Sequence, residues 1–210
     1  MQRRGRVGFP EFTGERVYMQ AFTLKGGLPL SLRRWQDTVD AMLDGVCAPD
    51  RIFIMIDQGY VSTGSAHRRP GVHVDGAWIP EAGIHGNHQH GMGRWGEVGA
   101  DSTLPCESIT AGRHGYHGHS HSEVSEGLIL ASDRMGCKAY LGEYRGCPGE
   151  DGDCSHMDVS RMDEVFLEPG VCFAGDARYL LHESVPAISD GCRTLVRLNV
   201  EGWAPDFQSA

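Results

Sequence analysis

At 210 residues the chain is long enough for one domain with a core of its own and short for two. Its 40 % hydrophobic and 22 % charged residues describe an ordinary globular protein, and a formal net charge of −9 argues against a surface built to neutralise phosphates, so nucleic acid is not the expected partner. No run of the sequence approaches the ~18 apolar residues that a membrane span needs, which also argues against a membrane partner.

Residues 1–27 read as irregular, because Gly5, Gly8, Pro10 and Gly14 interrupt any periodicity. A helix is expected from Leu30 to Leu43. There Leu32, Trp35, Val39, Met42 and Leu43 recur at three- and four-residue spacing and form one apolar stripe suited to packing on a sheet. Pro29 suits the entry to that helix and Gly45 its end. Arg51 to Ile56 is a nearly continuous apolar run, short enough to be a buried strand, and Val72 to Trp78 is expected to be the next one.

The stretch from Pro80 to His121 is rich in glycine and histidine and poor in periodic apolar residues. It reads as an insertion with the composition of a lid or a substrate-recognition loop. Strand-like runs then follow quickly: Gly127–Ser132, Lys138–Glu143, Glu164–Leu167, Val171–Ala174, Arg178–His182 and Arg193–Val200. Glu168-Pro169-Gly170 marks a tight turn between two of them. One early helix, many short strands and 29 glycines, roughly twice the usual share, predict a mainly β protein. The expected architecture is a barrel or jelly roll, one domain over 1–210 with its helix packed on a sheet and the insertion at about 80–121.

Two distant segments carry the chemistry. In His73-Val74-Asp75, residues two apart on a strand point to one face, so an imidazole and a carboxylate stand side by side. His182, from a far strand, would add a second imidazole. Two histidines and one carboxylate on one face of a metal form the facial triad of non-haem Fe(II) oxygenases, which leaves positions open for other ligands. Beyond His182, Arg193, Leu195 and Arg197 share a strand face. Two guanidinium groups turned inward are costly unless an anion meets them, and arginine grips a carboxylate through a planar fork.

In these residues the chain resembles the Fe(II)/2-oxoglutarate-dependent oxygenases, in particular the phytanoyl-hydroxylase-like branch. Their pattern is His-x-Asp, then a distal His, then an Arg ten to fifteen residues further on. His73, Asp75 and His182 match the metal ligands, and Arg193, eleven residues after His182, matches the arginine that holds the far carboxylate of 2-oxoglutarate. The approach to the distal histidine, from Glu168-Pro169-Gly170 to Pro186, is also similar. Many members carry Ser or Thr two residues after the arginine, where this chain has Leu195; Arg197-Leu198-Asn199 offers a polar residue at that offset instead. The resemblance implies a double-stranded β-helix over roughly residues 70–200, Fe(II) as cofactor, 2-oxoglutarate as cosubstrate and hydroxylation of a small-molecule or side-chain substrate. Arg197 is expected near the cosubstrate or an anionic group of the substrate, and Trp78 and His85 near the substrate.

A rival metal site is His117-x-His119-x-x-x-Glu123, similar to the first metal motif of cupins, within a run that also holds His114 and His121. It would need no 2-oxoglutarate. His85, His88 and His90 could line the mouth of the pocket, and Cys147, Cys154 and His156, with Cys137, could hold a structural zinc. Seven cysteines cannot all pair within one chain, they form no CxxC repeat, and no apolar stretch at the start resembles a signal peptide. Free thiols in a reducing cytoplasm are therefore the expectation, with Cys172 and Cys192 as small core residues.

Overall fold

The computed structural model describes residues 1–47, 51–75, 109–111, 125–144, 146, 148–149 and 152–205, with 109–111 as backbone alone. The strand β3 (Ile52–Val61) lies between β2 (Arg16–Phe22) and β10 (Gly191–Glu201), so both of its edges are hydrogen-bonded, and its residues on both faces are mostly buried. Beyond β10 come β5 (Glu126–Ser132), β8 (Val171–Asp176) and, at the edge, β1 (Gln2–Arg6). These six make one antiparallel sheet in the order β1-β8-β5-β10-β3-β2.

A smaller antiparallel sheet is organised around β6 (Cys137–Tyr144). It pairs with β7 (Asp163–Phe166), with β9 (His182–Ser184) and, at its far end, with β4 (Ile109–Ala111). His73 continues this sheet past β9 through an isolated bridge to His182, and bridges Asp153 on its other side. The protein is thus mainly β, as expected, and among the described residues the two sheets do not join into a closed barrel. The pairs β3·β10, His73·His182, β5·β8 and β6·β7 are all antiparallel and nested, the outermost joining the most distant segments.

The helical stripe forms as read, with one difference. Leu30–Trp35 is a 3₁₀ turn, opened by the bond from the Leu32 amide to the Pro29 carbonyl, and only α1 (Gln36–Leu43) is α-helical. Tight turns of this kind are frequent at helix starts. Leu32, Trp35, Val39, Met42 and Leu43 are buried against Ile52, Ile54 and Ile56 of β3 and Val196, Leu198 and Val200 of β10. The opposite face of the large sheet is apolar too. Met55, Leu128, Leu130, Phe173 and Leu195 meet Cys137 and Ala139 of the small sheet. Each such aliphatic side chain contributes about 1.5–3 kcal/mol by leaving water, so the alternation along β10 fixes which residues can face the space between the sheets.

Three expectations need correction. Residues 1–27 are not wholly irregular: β1 and β2 lie there, but as edge strands with mostly exposed side chains they lack the apolar alternation that marks a strand. Val72–Asp75 is not a regular strand, since only His73 makes a bridge there. Arg178–His182 is not a strand either. Asp176 folds the chain into a turn by accepting from the Arg178 amide through its side chain and from Leu180 through its carbonyl, and β9 begins only at His182.

Candidate metal centre

The backbone brings the two distant segments together before any side chain is considered. The His73 amide donates to the His182 carbonyl and the His182 amide to the His73 carbonyl, both at 2.9 Å. Directly opposed residues in an antiparallel pair project to the same side, and the two imidazole rings lie with centroids 4.5 Å apart. Asp75, two residues on, turns its carboxylate to the same side, with Oδ2 3.5 Å from His182 Nε2. One donor atom from each of His73, Asp75 and His182 falls within 4.8 Å of the others. Ligands about 2.0–2.2 Å from a shared ion stand roughly 3 Å apart at right angles and no more than ~4.4 Å apart in any arrangement, so the three donors must draw closer to hold one ion.

The ring nitrogens are assigned by the backbone. His73 Nδ1 lies 2.7 Å from the Gly71 carbonyl and His182 Nδ1 2.9 Å from the Leu180 carbonyl. A carbonyl only accepts, so both Nδ1 atoms carry hydrogen and both Nε2 atoms are left for a metal, a pattern typical of ligating histidines. Burial, helped by the neighbouring His182, pushes the His73 pKa down to about 4, so this imidazole is neutral at neutral pH. Burial alone would raise the Asp75 carboxyl, but the Arg197 guanidinium and His182 outweigh it and hold it well below the ordinary range. For His182 burial is again outweighed, here by the Asp75 carboxylate, and its pKa is raised. The donor set, two imidazoles and an ionised carboxylate in a buried pocket, fits a divalent cation.

Arg193 and Arg197 both face the space between the sheets, as the strand alternation predicts. Their surroundings differ. Arg197 Nη1 lies 2.9 Å from Asp75 Oδ2, so its acid is the candidate metal ligand itself. Arg193 is buried, its Nε donating to Ser132 Oγ at 3.0 Å and its Nη2 touching Cys137 Sγ at 3.8 Å. Among the described residues no carboxylate lies within ion-pair distance of it. Gly136 makes room for this guanidinium, since a Cβ there would stand 2.4 Å from Arg193 Cζ. Cys137 and His182 both line an apolar pocket between the sheets, with Leu128, Leu130, Ala139, Leu167, Phe173 and Leu180.

Of the other candidates, Trp78, His85, His88, His90, His114, His117, His119, His121, Glu123 and Cys147 lie outside the described residues, as does the insertion apart from β4. Cys137, Cys154 and His156 do not come together as metal ligands. Cys154 is buried with its thiol 3.3 Å from the Gly152 carbonyl, and burial pushes its pKa up to about 11, a poor state for a ligand. Cys47, Cys137, Cys154, Cys172 and Cys192 are free thiols, and Cys192, expected in the core, is exposed: it sits on β10 opposite the exposed Tyr60. Sequence reasoning missed Ser132 and Gly136 beside Arg193, and Glu126 behind Asn199. The alternation of β5 and β10 contained the signal, since a polar residue on an otherwise apolar inward face demands a partner. Among the described residues no helix is long and apolar enough to cross a membrane. No protein-family model matches this chain, and no similar curated protein or solved structure was found.

Proposed function

We propose that this protein is a non-haem Fe(II)- and 2-oxoglutarate-dependent dioxygenase that oxidises a small-molecule or side-chain substrate. The observation that carries the reading is the convergence of His73, Asp75 and His182 within 4.8 Å, with the buried Arg193, which has no acid within ion-pair distance among the described residues, touching Cys137 on the lining of the pocket that His182 also lines. Two imidazoles and one carboxylate on one face are the donor set that suits Fe(II) and leaves coordination positions for a chelating cosubstrate and O₂. When bound, the metal would supply the redox chemistry that couples oxidative decarboxylation of 2-oxoglutarate to oxidation of the substrate.

The chain's own part is to hold, orient and exclude water. His73 and His182 are fixed through their Nδ1 hydrogens, and Asp75 through Arg197. Arg193 would take the distal carboxylate of the cosubstrate. Ala139 lies opposite His182 in β6·β9, and Cys137, the residue Arg193 touches, is two residues along the same face. Two strand residues span about 6.6 Å. A five-carbon diacid has four C–C bonds of about 1.5 Å and end carboxylates roughly 5 Å apart, so one can reach from a metal beside His182 to the guanidinium.

The strand order supports a double-stranded β-helix. From β3 onward the chain visits the large sheet, His73 in the small one, β5, then β6 and β7, then β8, β9 and β10, which alternates between the sheets. The nested pairs are those of one long hairpin rolled up, the path of a jelly roll.

Anaerobic titration tests the function. Fe(II) and 2-oxoglutarate together are expected to give a weak visible charge-transfer band that neither gives alone. His182→Ala is expected to abolish both the band and stoichiometric Fe(II) binding. Full-affinity Fe(II) binding by that variant, lost instead in His117→Ala, would transfer the site to the cupin-like motif.

A further inference from the structure

Behind Asp75 a chain of buried polar groups leads away from the candidate metal centre, and the inference it carries rests on the metal reading above. Arg197 uses three directions of its guanidinium: Nη1 donates to Asp75 Oδ2 at 2.9 Å, Nε to Asn199 Oδ1 at 2.9 Å, and Nη2 meets Met19 Sδ at 3.8 Å. Asn199, fully buried, passes its amide hydrogen to Glu126 Oε1, and Glu126 is itself buried. Met19 reaches this place through an irregularity in β2. The register with β3 shifts between Val17 and Gln20, and Met19 takes the left-handed φ of +46°, which turns its side chain into the core.

So many polar groups inside an apolar layer are costly unless every one has its partner, and a half-satisfied set is worse than none. Here the partners form one line, Glu126–Asn199–Arg197–Asp75, and the line ends at the oxygen that faces His182 Nε2. A guanidinium tied at two of its nitrogens cannot turn about its plane, so the carboxylate it grips is fixed as well. Lysine could match the charge but not the fork.

We propose that Arg197 is a positioning residue, with Asn199 and Glu126 as its buried support, and that it holds the Asp75 carboxylate toward His73 and His182 before a cation arrives. This gives Arg197 a role on the metal ligand rather than on the cosubstrate. The orienting partners of ligating groups typically change metal affinity by 10–100-fold when removed.

The test uses Co(II) alone as probe and reads both its affinity and the visible ligand-field spectrum of the bound ion in the full chain. Arg197→Lys and Arg197→Met are both expected to weaken Co(II) binding by roughly 10–100-fold and to shift the spectrum, because the fork is lost in each. Asn199→Ser, which does not touch Asp75, is expected to shift both readouts in the same direction by a smaller amount. Circular dichroism of the metal-free variants separates these effects from misfolding. Wild-type affinity and spectrum in Arg197→Lys, or tighter binding in either arginine variant, would overturn the proposal, since the group would then act only as a charge or as a competitor for Asp75. His182→Ala keeps the two ideas apart: if it binds Co(II) as the wild type does, the metal reading itself is at fault, whatever the arginine variants do.

Discussion

Arg193→Met separates a ligand-binding arginine from a structural one, because the two roles predict opposite effects on the free protein. The guanidinium is only 3 % exposed and has no acid within ion-pair distance among the described residues. Replacing it removes one charge-assisted hydrogen bond, to Ser132 Oγ, which costs about 1.5–3 kcal/mol. It also removes a buried charge whose effective desolvation penalty is several kcal/mol, and swapping buried ions for apolar groups of similar volume is often neutral or stabilising by ~1–4 kcal/mol. The free variant should therefore be as stable as the wild type or more so. In a domain of this size each kcal/mol moves the melting temperature by about 2–4 °C. Binding of 2-oxoglutarate should fall steeply. Removing one partner of a buried charge pair costs about 2–5 kcal/mol, which at ~1.4 kcal/mol per decade is roughly one and a half to three and a half orders of magnitude in Kd. The assay is a pair of measurements on one preparation: thermal melting without ligand, and 2-oxoglutarate titration with Fe(II) under anaerobic conditions. A variant destabilised by more than ~3 kcal/mol that bound 2-oxoglutarate normally would refute the reasoning, since Arg193 would then be a strut of the fold.

Gly136→Ala places a methyl 2.4 Å from Arg193 Cζ and Nη1, so it should displace the guanidinium and weaken 2-oxoglutarate binding by roughly tenfold, ~1.4 kcal/mol, with Fe(II) affinity near wild type; isothermal titration with each ligand reads both. Asp57 tests the acid limb of stability, because the His67 ring at 3.5 Å and Arg68 at 3.0 Å hold its carboxyl at about 2, below the ordinary 3.8, against the opposing effect of burial. A carboxyl depressed in the folded state stabilises it above the unfolded value, and that contribution is lost as pH falls through the folded one. Denaturant midpoints should therefore fall less steeply between 3.8 and about 2 in Asp57→Asn than in the wild type, and equal slopes would show that this carboxylate does not drive acid unfolding.

How far the sequence could be read depended on which physical signal each element carried. The helical stripe from Leu32 to Leu43 and the runs of β3, β5, β8 and β10 were legible because their residues cover faces of the main core, and burial writes itself into apolar spacing. β1 and β2 were not, because edge strands satisfy one side of their backbone and leave most side chains in water. The segments that hold the candidate metal ligands were legible for a different reason. His73 and Asp75 lie on the same side although the chain there makes only a single bridge, so the two-residue alternation held without the strand that was expected to impose it.

The arginines show where such reading stops. Alternation along β10 places Arg193, Arg197 and Asn199 on the inward face, where all three lie in the structure. It says nothing about what waits opposite each. That depends on β10 lying between β5 and β3, which sets Ser132 and Glu126 from one side against the two arginine positions, and on the shifted register that turns Met19 inward from β2. Both are properties of strand order and register, and a single sequence does not encode them in any local pattern. The same guanidinium chemistry therefore acquires two different partners four residues apart. Asp75 neutralises one arginine from within the chain, and the other, buried, has no acid within ion-pair distance among the described residues. A fold keeps a buried cation without an acid at a cost in stability. On the reading proposed above, the anion that meets it would be the far carboxylate of the cosubstrate, and Cys137, which Arg193 touches, lines the same pocket as His182.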